Sequence, residues 1–369
     1  MFASKLSNSK VTSEHLRQRG RKKKRLSLLF SLCVLLAGTG QRLRSAVIGQ
    51  TSPVKRYLIV NPVSGLGNRM RATCSAAVLA ERMGRELIVV WLPDVHLQAN
   101  MSDLFDTGGM KVFDHEIYEQ LPPDDTTFYN FDATGQVPIR RSDISYIYVK
   151  TAFRLNGHER SLRVPDILFD RCIRKLRPNY VVEDLHSHMK SMIRLHPKTA
   201  GIHIRMLGTL VLDVPDLSKA ASNERHIEPE MQNIVAYERS KCNVSFFKKP
   251  MKLLNDSWNV HFFVSMDSAE AWESLSQTST EFHMSLLNPV SYAKCLTSMR
   301  RSAFCAQHAL AEMLALSEMD YFLYSSWSSF SEMIISLRKS EKESSILGCA
   351  TDSIMLADIY ARVLKKTLV

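Results

Sequence analysis

Four short stretches carry side chains able to hold a phosphorylated ligand. In "HIRM", His203 and Arg205 stand two residues apart at the end of an apolar run. At the period of two of a β-strand both project from one face, and the planar guanidinium fork suits a phosphate. Such an arginine either pairs with a structural carboxylate or clamps an anionic ligand. In "VSMDS", Asp267 closes a second apolar run. It either caps a following helix, as Ser268 also could, or accepts hydrogen bonds from a base or ribose. In "YSSWSSFSEM" (324–333) hydroxyls cluster where a helix begins, and the free N–H groups of a helix start form a phosphate cradle. Capping by Ser329 or Ser331, with Glu332 as an acidic first-turn residue, is the plainer use of the same residues. Finally, "GLGNR" (65–69) places two glycines between an apolar run and an alanine-rich segment. That loop lacks the third glycine of a dinucleotide fingerprint, since Met70 stands there, and it lacks the Lys-Ser/Thr ending of a P-loop.

These stretches need elements to aim them, and the hydrophobic pattern supplies those elements. Tyr57 to Val60 and Glu86 to Trp91 suit buried strands, and Arg69 to Met83 suits a helix closed by Gly84. The unit reads strand, glycine loop, helix, strand, a right-handed βαβ crossover whose loop lies at the carboxyl end of its strand. Further on, "VPDILFDRCIRKLRP" (164–178) reads as a helix, and a break follows near Leu195 to Lys198. In the second half "TAGIHIRM", "NVHFFVSMD" and "DYFLYS" read as strands. Between and after them "SAEAWESL", "AQHALAEMLALSEM" and the end of "SWSSFSEMIISLR" read as helices. Strands alternating with helices imply an α/β protein with mainly parallel sheets. The division expected is a targeting segment over 1–50, a first Rossmann-like domain over 51–195 and a second over 196–369, facing a cleft. His203, Asp267 and the serine cluster all fall at carboxyl ends of strands in the second half, where open α/β sheets bind ligands.

Charge excludes one class of partner. The chain of 369 residues has a formal net charge of +11, but residues 1–56 hold 13 Lys/Arg and one acid. The remainder carries 35 basic and 36 acidic residues, so the body is neutral and a general nucleic-acid binder is excluded. "RQRGRKKKR" followed by the apolar run Leu26 to Gly40 reads as a cleavable secretory signal or a type II signal anchor. The run is short for a span, and Ala37-Gly38-Thr39 offers small residues for cleavage. If uncleaved, this segment makes the membrane a partner. Asn100, Asn243 and Asn255 open Asn-x-Ser sequons, and beyond Cys33 six cysteines remain, an even number compatible with disulfides of undetermined pairing. The expected place is the lumen of the secretory pathway, Golgi or endoplasmic reticulum.

Gly-Leu-Gly-Asn-Arg before an Ala-rich helix, then His-x-Arg, Ser-x-Asp and Ser-Ser-Phe-Ser before a helix, together resemble the fucosyltransferase superfamily. That superfamily includes protein O-fucosyltransferases and α1,2- and α1,6-fucosyltransferases of the two-domain GT-B fold. The resemblance spans roughly residues 55 to 340, and "LALSEMDYFLYSSWSSFSEM" is its most distinctive part. It implies a GDP-fucose donor, with Arg205 as the catalytic clamp on the departing diphosphate. Ser328, Ser329 and Phe330 would line the donor pocket, Asp267 would meet the guanosine, and His203 would support the arginine or the nucleotide. Gly65, Gly67, Asn68 and Arg69 would approach the donor from the first domain. Guanine and fucose come from the resemblance alone.

The residues fit an inverting transfer without metal or cofactor: two charges leave as a diphosphate, fixed cations can receive them, and the chain contains no Asp-x-Asp. The chain departs from the family at "HIRMLGT", where Met206 stands in place of a further charge. A general base is unassigned, with Asp213, Asp216 and Glu224 downstream. The resemblance implies a hydroxyl of a glycan or glycoprotein as acceptor, with its identity and the linkage left open. The competing expectation is a lumenal binding or scaffold protein on the same fold with a degenerate donor site.

Overall fold

The computed structural model describes residues 55–131, 136–205, 242–287, 295, 301–326, 328–338 and 346–349. The targeting segment, Met206 and the three candidate bases lie outside them.

In chain order the first half comprises β1 (Tyr57–Pro62), α1 (Leu66–Met83), β2 (Glu86–Val90), β3 (Phe105–Asp106), β4 (Lys111–Phe113), β5 (Thr126–Asn130) and β6 (Tyr146–Thr151). Then come α2 (Asp166–Lys175), β7 (Arg177–Pro178), α3 (Tyr180–Arg194) and β8 (Thr199–Ile204). The second half continues with α4 (Val244–Trp258), β9 (His261–Met266), α5 (Ala269–Glu281) and β10 (Ser285–Leu287). It closes with α6 (Ala303–Glu318), β11 (Tyr321–Tyr324), α7 (Ser329–Leu337) and β12 (Ile346–Gly348).

The strands form two five-stranded sheets, β4-β2-β1-β6-β5 and β10-β9-β8-β11-β12, in which every pairing is parallel. The α/β class with parallel, Rossmann-like sheets is therefore present. β3 and β7 make a separate antiparallel pair. Parallel strands are buried on both faces, and the central strand β8 accordingly has all six residues buried. On one face of the second sheet Ala200, Ile202, Phe262 and Val264 pack under α4 and α5. On its other face Phe263 and Phe322 share a continuous core with α1, α3, α6 and α7 and with Leu58 and Val60 of the first sheet. The two sheets are thus joined by shared helices, α3 packing on α6 and α1 on α7. Each fully buried aliphatic or aromatic side chain there is worth about 1.5–3 kcal/mol.

Two expectations shift at their edges. α1 begins at Leu66, so Gly67 lies inside its first turn rather than in the loop, and Gly65 is the N-cap. The turn is made instead by Ser64, at a left-handed φ of 72°. The helix expected over 164–178 stops at Lys175, because Arg177 and Pro178 pair with β3. Gly84 caps α1 in the left-handed conformation as expected.

All six cysteines outside the N-terminal segment are paired. Cys74–Cys172 staples α1 to α2, Cys242–Cys349 joins the start of α4 to the end of β12, and Cys295–Cys305 reaches into α6. Such pairing is compatible with an oxidising compartment such as the secretory-pathway lumen. Among the described residues no helix is long and apolar enough to cross a membrane.

Candidate functional site

The second-half residues converge at the carboxyl ends of β8, β9 and β11. His203 lies within β8 and Arg205 is the first residue beyond it, and β9 runs beside β8 in a register that pairs His203 with Ser265 and Ile204 with Met266. The first residues beyond the two strands are Arg205 and Asp267. Arg205 Nη1 lies 2.8 Å from Asp267 Oδ2, with both side chains partly exposed. Asp267 does not serve as the cap of α5; Ser268 does, its Oγ accepting from the Ala271 N–H. The carboxylate expected at a guanosine thus holds the guanidinium expected at a diphosphate.

The backbone around Arg205 is tied to the serine cluster. The Arg205 N–H donates to Ser325 Oγ at 2.9 Å, and the Ser325 N–H donates to the His203 carbonyl at 2.9 Å. Ser331 Oγ donates to the Ser325 carbonyl at 2.9 Å and lies 2.7 Å from His203 Nδ1. Because the single hydroxyl proton of Ser331 is committed to that carbonyl, Nδ1 carries the imidazole proton and Nε2 is the bare nitrogen. The ring stacks on Phe330 at 4.7 Å between centroids. Burial, and then the Arg205 charge, hold His203 down to about 3, so it is neutral. Beneath the same face Ser265 Oγ donates to Glu312 of α6 at 2.6 Å, and burial pushes this carboxyl up to about 7.

Ser328 precedes α7 as its N-cap, but no side chain caps the helix. Neither Ser329 nor Ser331 plays the capping part, since Ser331 is committed to His203 and Ser325. The first N–H groups of α7, from Ser329 onward, have no carbonyl within the helix and carry its positive dipole end. Here the first half makes contact. A Cβ on Gly67 would lie 2.6 Å from the Ser329 carbonyl atoms and 2.8 Å from the Phe330 nitrogen, so glycine is required for two backbones to touch. Gly65 has no such neighbour: a Cβ there would meet nothing described within 4 Å.

Asn68 Nδ2 donates to Ser64 Oγ at 2.9 Å, and Asn68 Oδ1 accepts from Arg71 Nη2 at 2.7 Å. Arg71 in turn donates to the Ala152 carbonyl and pairs with Glu332 of α7 at 2.9 Å. Arg69 turns the other way. It is fully buried, its Nε donates to the Ser64 carbonyl at 2.8 Å, Nη2 pairs with Asp94 at 2.7 Å, and its guanidinium lies 5.2 Å from the Trp91 ring centre. Burial lowers its pKa against the opposing pull of Asp94. Arg69 therefore holds the loop from behind.

The structure thus gathers Arg205, His203, Asp267, Ser328, Ser329 and Phe330 at one set of strand and helix ends, with Gly67 against α7 and Asn68 linked to α7 through Arg71 and Glu332; Gly65 touches none of them, and Arg69 sits behind the loop. Ser325, Arg71 and Glu312 belong to the same assembly without a motif to mark them. Among the described residues no group of three or more His, Cys, Asp or Glu side chains is placed to hold a metal ion.

No protein-family model matches this chain, and no curated protein matches it in sequence. Solved structures of similar architecture include a mutant of Arabidopsis thaliana FUT1 in complex with GDP, at 15% identity over 78% of this chain and 71% of that one, with a TM-score of 0.46. The fucosyltransferase NodZ from Bradyrhizobium is similar at 13% identity over 77% of this chain and 94% of its own, with a TM-score of 0.46. POFUT1 in complex with GDP is similar at 11% identity over 81% and 99%, with a TM-score of 0.48. Likenesses at this level do not extend to individual residues.

Proposed function

We propose that this chain is an inverting, metal-independent glycosyltransferase that moves fucose from GDP-fucose to a hydroxyl of a glycan or glycoprotein. The observation that carries the reading is the setting of Arg205. Its backbone is fixed by Ser325, its side chain sits at the carboxyl end of β8, and the open start of α7 lies across the same strand ends. A fixed guanidinium beside free backbone N–H groups is suited to charge that grows on a leaving diphosphate. The identity of the nucleotide and sugar rests on the family resemblance of the motifs.

In this reading the acceptor hydroxyl attacks the sugar's anomeric carbon in line with the bond to the β-phosphate. As the new C–O bond forms, the old one breaks and its electron pair leaves on GDP. Arg205 exchanges Asp267 for phosphate oxygens, and the N–H groups of Ser329 and Phe330 share the remaining charge. Neutral His203, stacked on Phe330 and bonded to Ser331, keeps strand and helix start in register. Gly67 allows the first half to close on α7, and the open space beside Gly65 leaves room for a donor's backbone-close approach. Arg69 acts by shaping the loop through Ser64. The acceptor proton passes to a general base that is unassigned, Asp213, Asp216 and Glu224 being candidates by sequence position alone. We place the protein in the Golgi or endoplasmic reticulum lumen, anchored by its N-terminal segment or released from it.

A panel of nucleotide sugars offered to the purified full-length protein tests this. Selective binding of GDP-fucose and GDP over UDP- and CMP-sugars, with slow hydrolysis of the donor, is the expected result. Binding without any turnover in the presence of glycan acceptors would favour a degenerate donor site. A folded protein that binds none of them would overturn the reading.

A further inference from the structure

The outer face of the first sheet carries chemistry that the donor site does not use. Ile59 and Asn61 of β1, and Tyr148 and Lys150 of β6, point away from α1 by the alternation of the strands, and Asn61 pairs in register with Lys150. A parallel sheet is normally covered by helices on both faces. Among the described residues the apolar packing on this face from outside the sheet comes from Ile117, Leu121 and Leu92, with no helix among them. At its margin stand two aromatic rings, Tyr118 and Phe128, exposed at 38% and 41%, with centroids 4.5 Å apart. Both rest on the buried ring of Tyr148 at 5.3 and 5.5 Å.

Beside them the exposed carboxylate of Glu116 is held with unusual firmness. Its Oε1 accepts from the N–H groups of Ile117 and Tyr118 at 2.9 and 3.0 Å and from the Tyr148 hydroxyl at 2.5 Å. Its Oε2 accepts from Asn61 Nδ2 at 3.1 Å. Burial raises the Tyr148 phenol, which keeps it a donor to this carboxylate. A surface glutamate needs no such framework, and capping a single 3-10 turn would use only the two backbone bonds. The additional bonds from Asn61 and Tyr148 fill Oε1 and orient Oε2, leaving one acceptor position of fixed direction on Oε2.

We propose that Glu116, Tyr118, Phe128 and Lys150 form a binding site for a neutral pyranose of a glycan. The C–H face of a sugar ring covers exposed aromatic surface, its hydroxyls donate to a carboxylate, which only accepts, and an ammonium returns a donor. The fixed negative charge disfavours phosphorylated or acidic ligands. Asn61 lies one residue before the end of β1, and β1 leads into the Ser64–Gly67 turn, so the site adjoins the carboxyl edge of the sheet. Its use as an acceptor subsite rests on the proposed function; its affinity for sugar does not.

The test is binding of the full-length protein to an array of neutral oligosaccharides, with GDP binding and melting temperature measured alongside. Phe128→Ala, Tyr118→Ala and Glu116→Gln are compared with wild type. The expected result is a bound neutral oligosaccharide whose affinity falls roughly tenfold or more in each variant while the protein stays folded. No sugar bound by wild type, or sugar bound equally by all three variants, overturns the inference. No sugar bound by wild type that still binds GDP sinks this site alone, whereas GDP binding absent from wild type with sugar binding intact sinks only the donor site.

Discussion

At the residue scale, two buried groups of opposite sign set how the site responds to acid. His203 is held at about 3 against 6.5 when unfolded, so between those values the unfolded chain binds the extra proton and stability rises with pH. Glu312 is held at about 7 against 4.5, so between those values the native state binds the extra proton and stability falls as pH rises. From about pH 4.5 to 6.5 the two slopes offset, each being at most about 1.4 kcal/mol per pH unit. Glu312→Gln keeps an acceptor for Ser265 but removes the titration. Melting the variant and wild type across this window should show a stability difference that grows with pH in favour of the variant. A difference independent of pH would mean that Glu312 is already ionised in the fold. Neither group's environment is legible in sequence, since "HIRM" and "LAEML" do not say what lies over them. Arg69 teaches the same lesson: the motif names it, but only the fold shows it facing Asp94 and Trp91 rather than outward.

At the scale of elements, α1 and α7 are held together by a glycine contact and an ion pair. Gly67→Ala would force a methyl into the Ser329 backbone, which cannot yield as a side-chain tip can. A loss of about 1–3 kcal/mol is expected, with weaker GDP binding, whereas Gly65→Ala should leave the melting temperature unchanged. Equal effects of the two substitutions, read by thermal melts and GDP titration, would contradict this division of labour. The Arg71–Glu332 pair is partly exposed, so a double-mutant cycle should give a coupling of only about 0.5–1 kcal/mol. A coupling near zero in GDP affinity would show that Asn68 is positioned without it. The strands and the helices around the motifs follow from apolar period and caps. α3 and α4 do not announce themselves. α3 opens on the β-branched pair Val181-Val182 and carries two histidines, and α4 has Pro250 inside it.

At the scale of the whole molecule, the disulfides and the N-terminal charge point to the same compartment. Cys242–Cys349 also reaches the candidate site: Cys349 Sγ accepts from the Ser326 N–H at 3.1 Å, and the Cys349 N–H donates to the Tyr324 carbonyl at 3.1 Å. Replacing both cysteines by alanine should cost about 2–4 kcal/mol and weaken GDP binding through Ser325 and Ser326. Stability lost with GDP affinity unchanged would confine the bond to a structural role. An even cysteine count suggested disulfides, but the pairing needed the fold to bring α1 to α2 and α4 to β12. The two-sheet architecture was legible because each βα unit repeats one hydrophobic rhythm. Contacts between the halves were not, because they join residues far apart in the sequence, such as Arg71 and Glu332, which are 261 positions apart.

The most direct measurement is hydrolysis of GDP-fucose by the full-length protein and by Arg205→Ala, with GDP binding by both. The expected outcome is turnover that falls about 100- to 1,000-fold in the variant, the cost of removing one donor to a developing oxyanion, while the variant stays folded. Turnover by the variant at the wild-type rate would contradict the assignment of Arg205 and, with it, the placement of the donor at the strand ends of the second sheet.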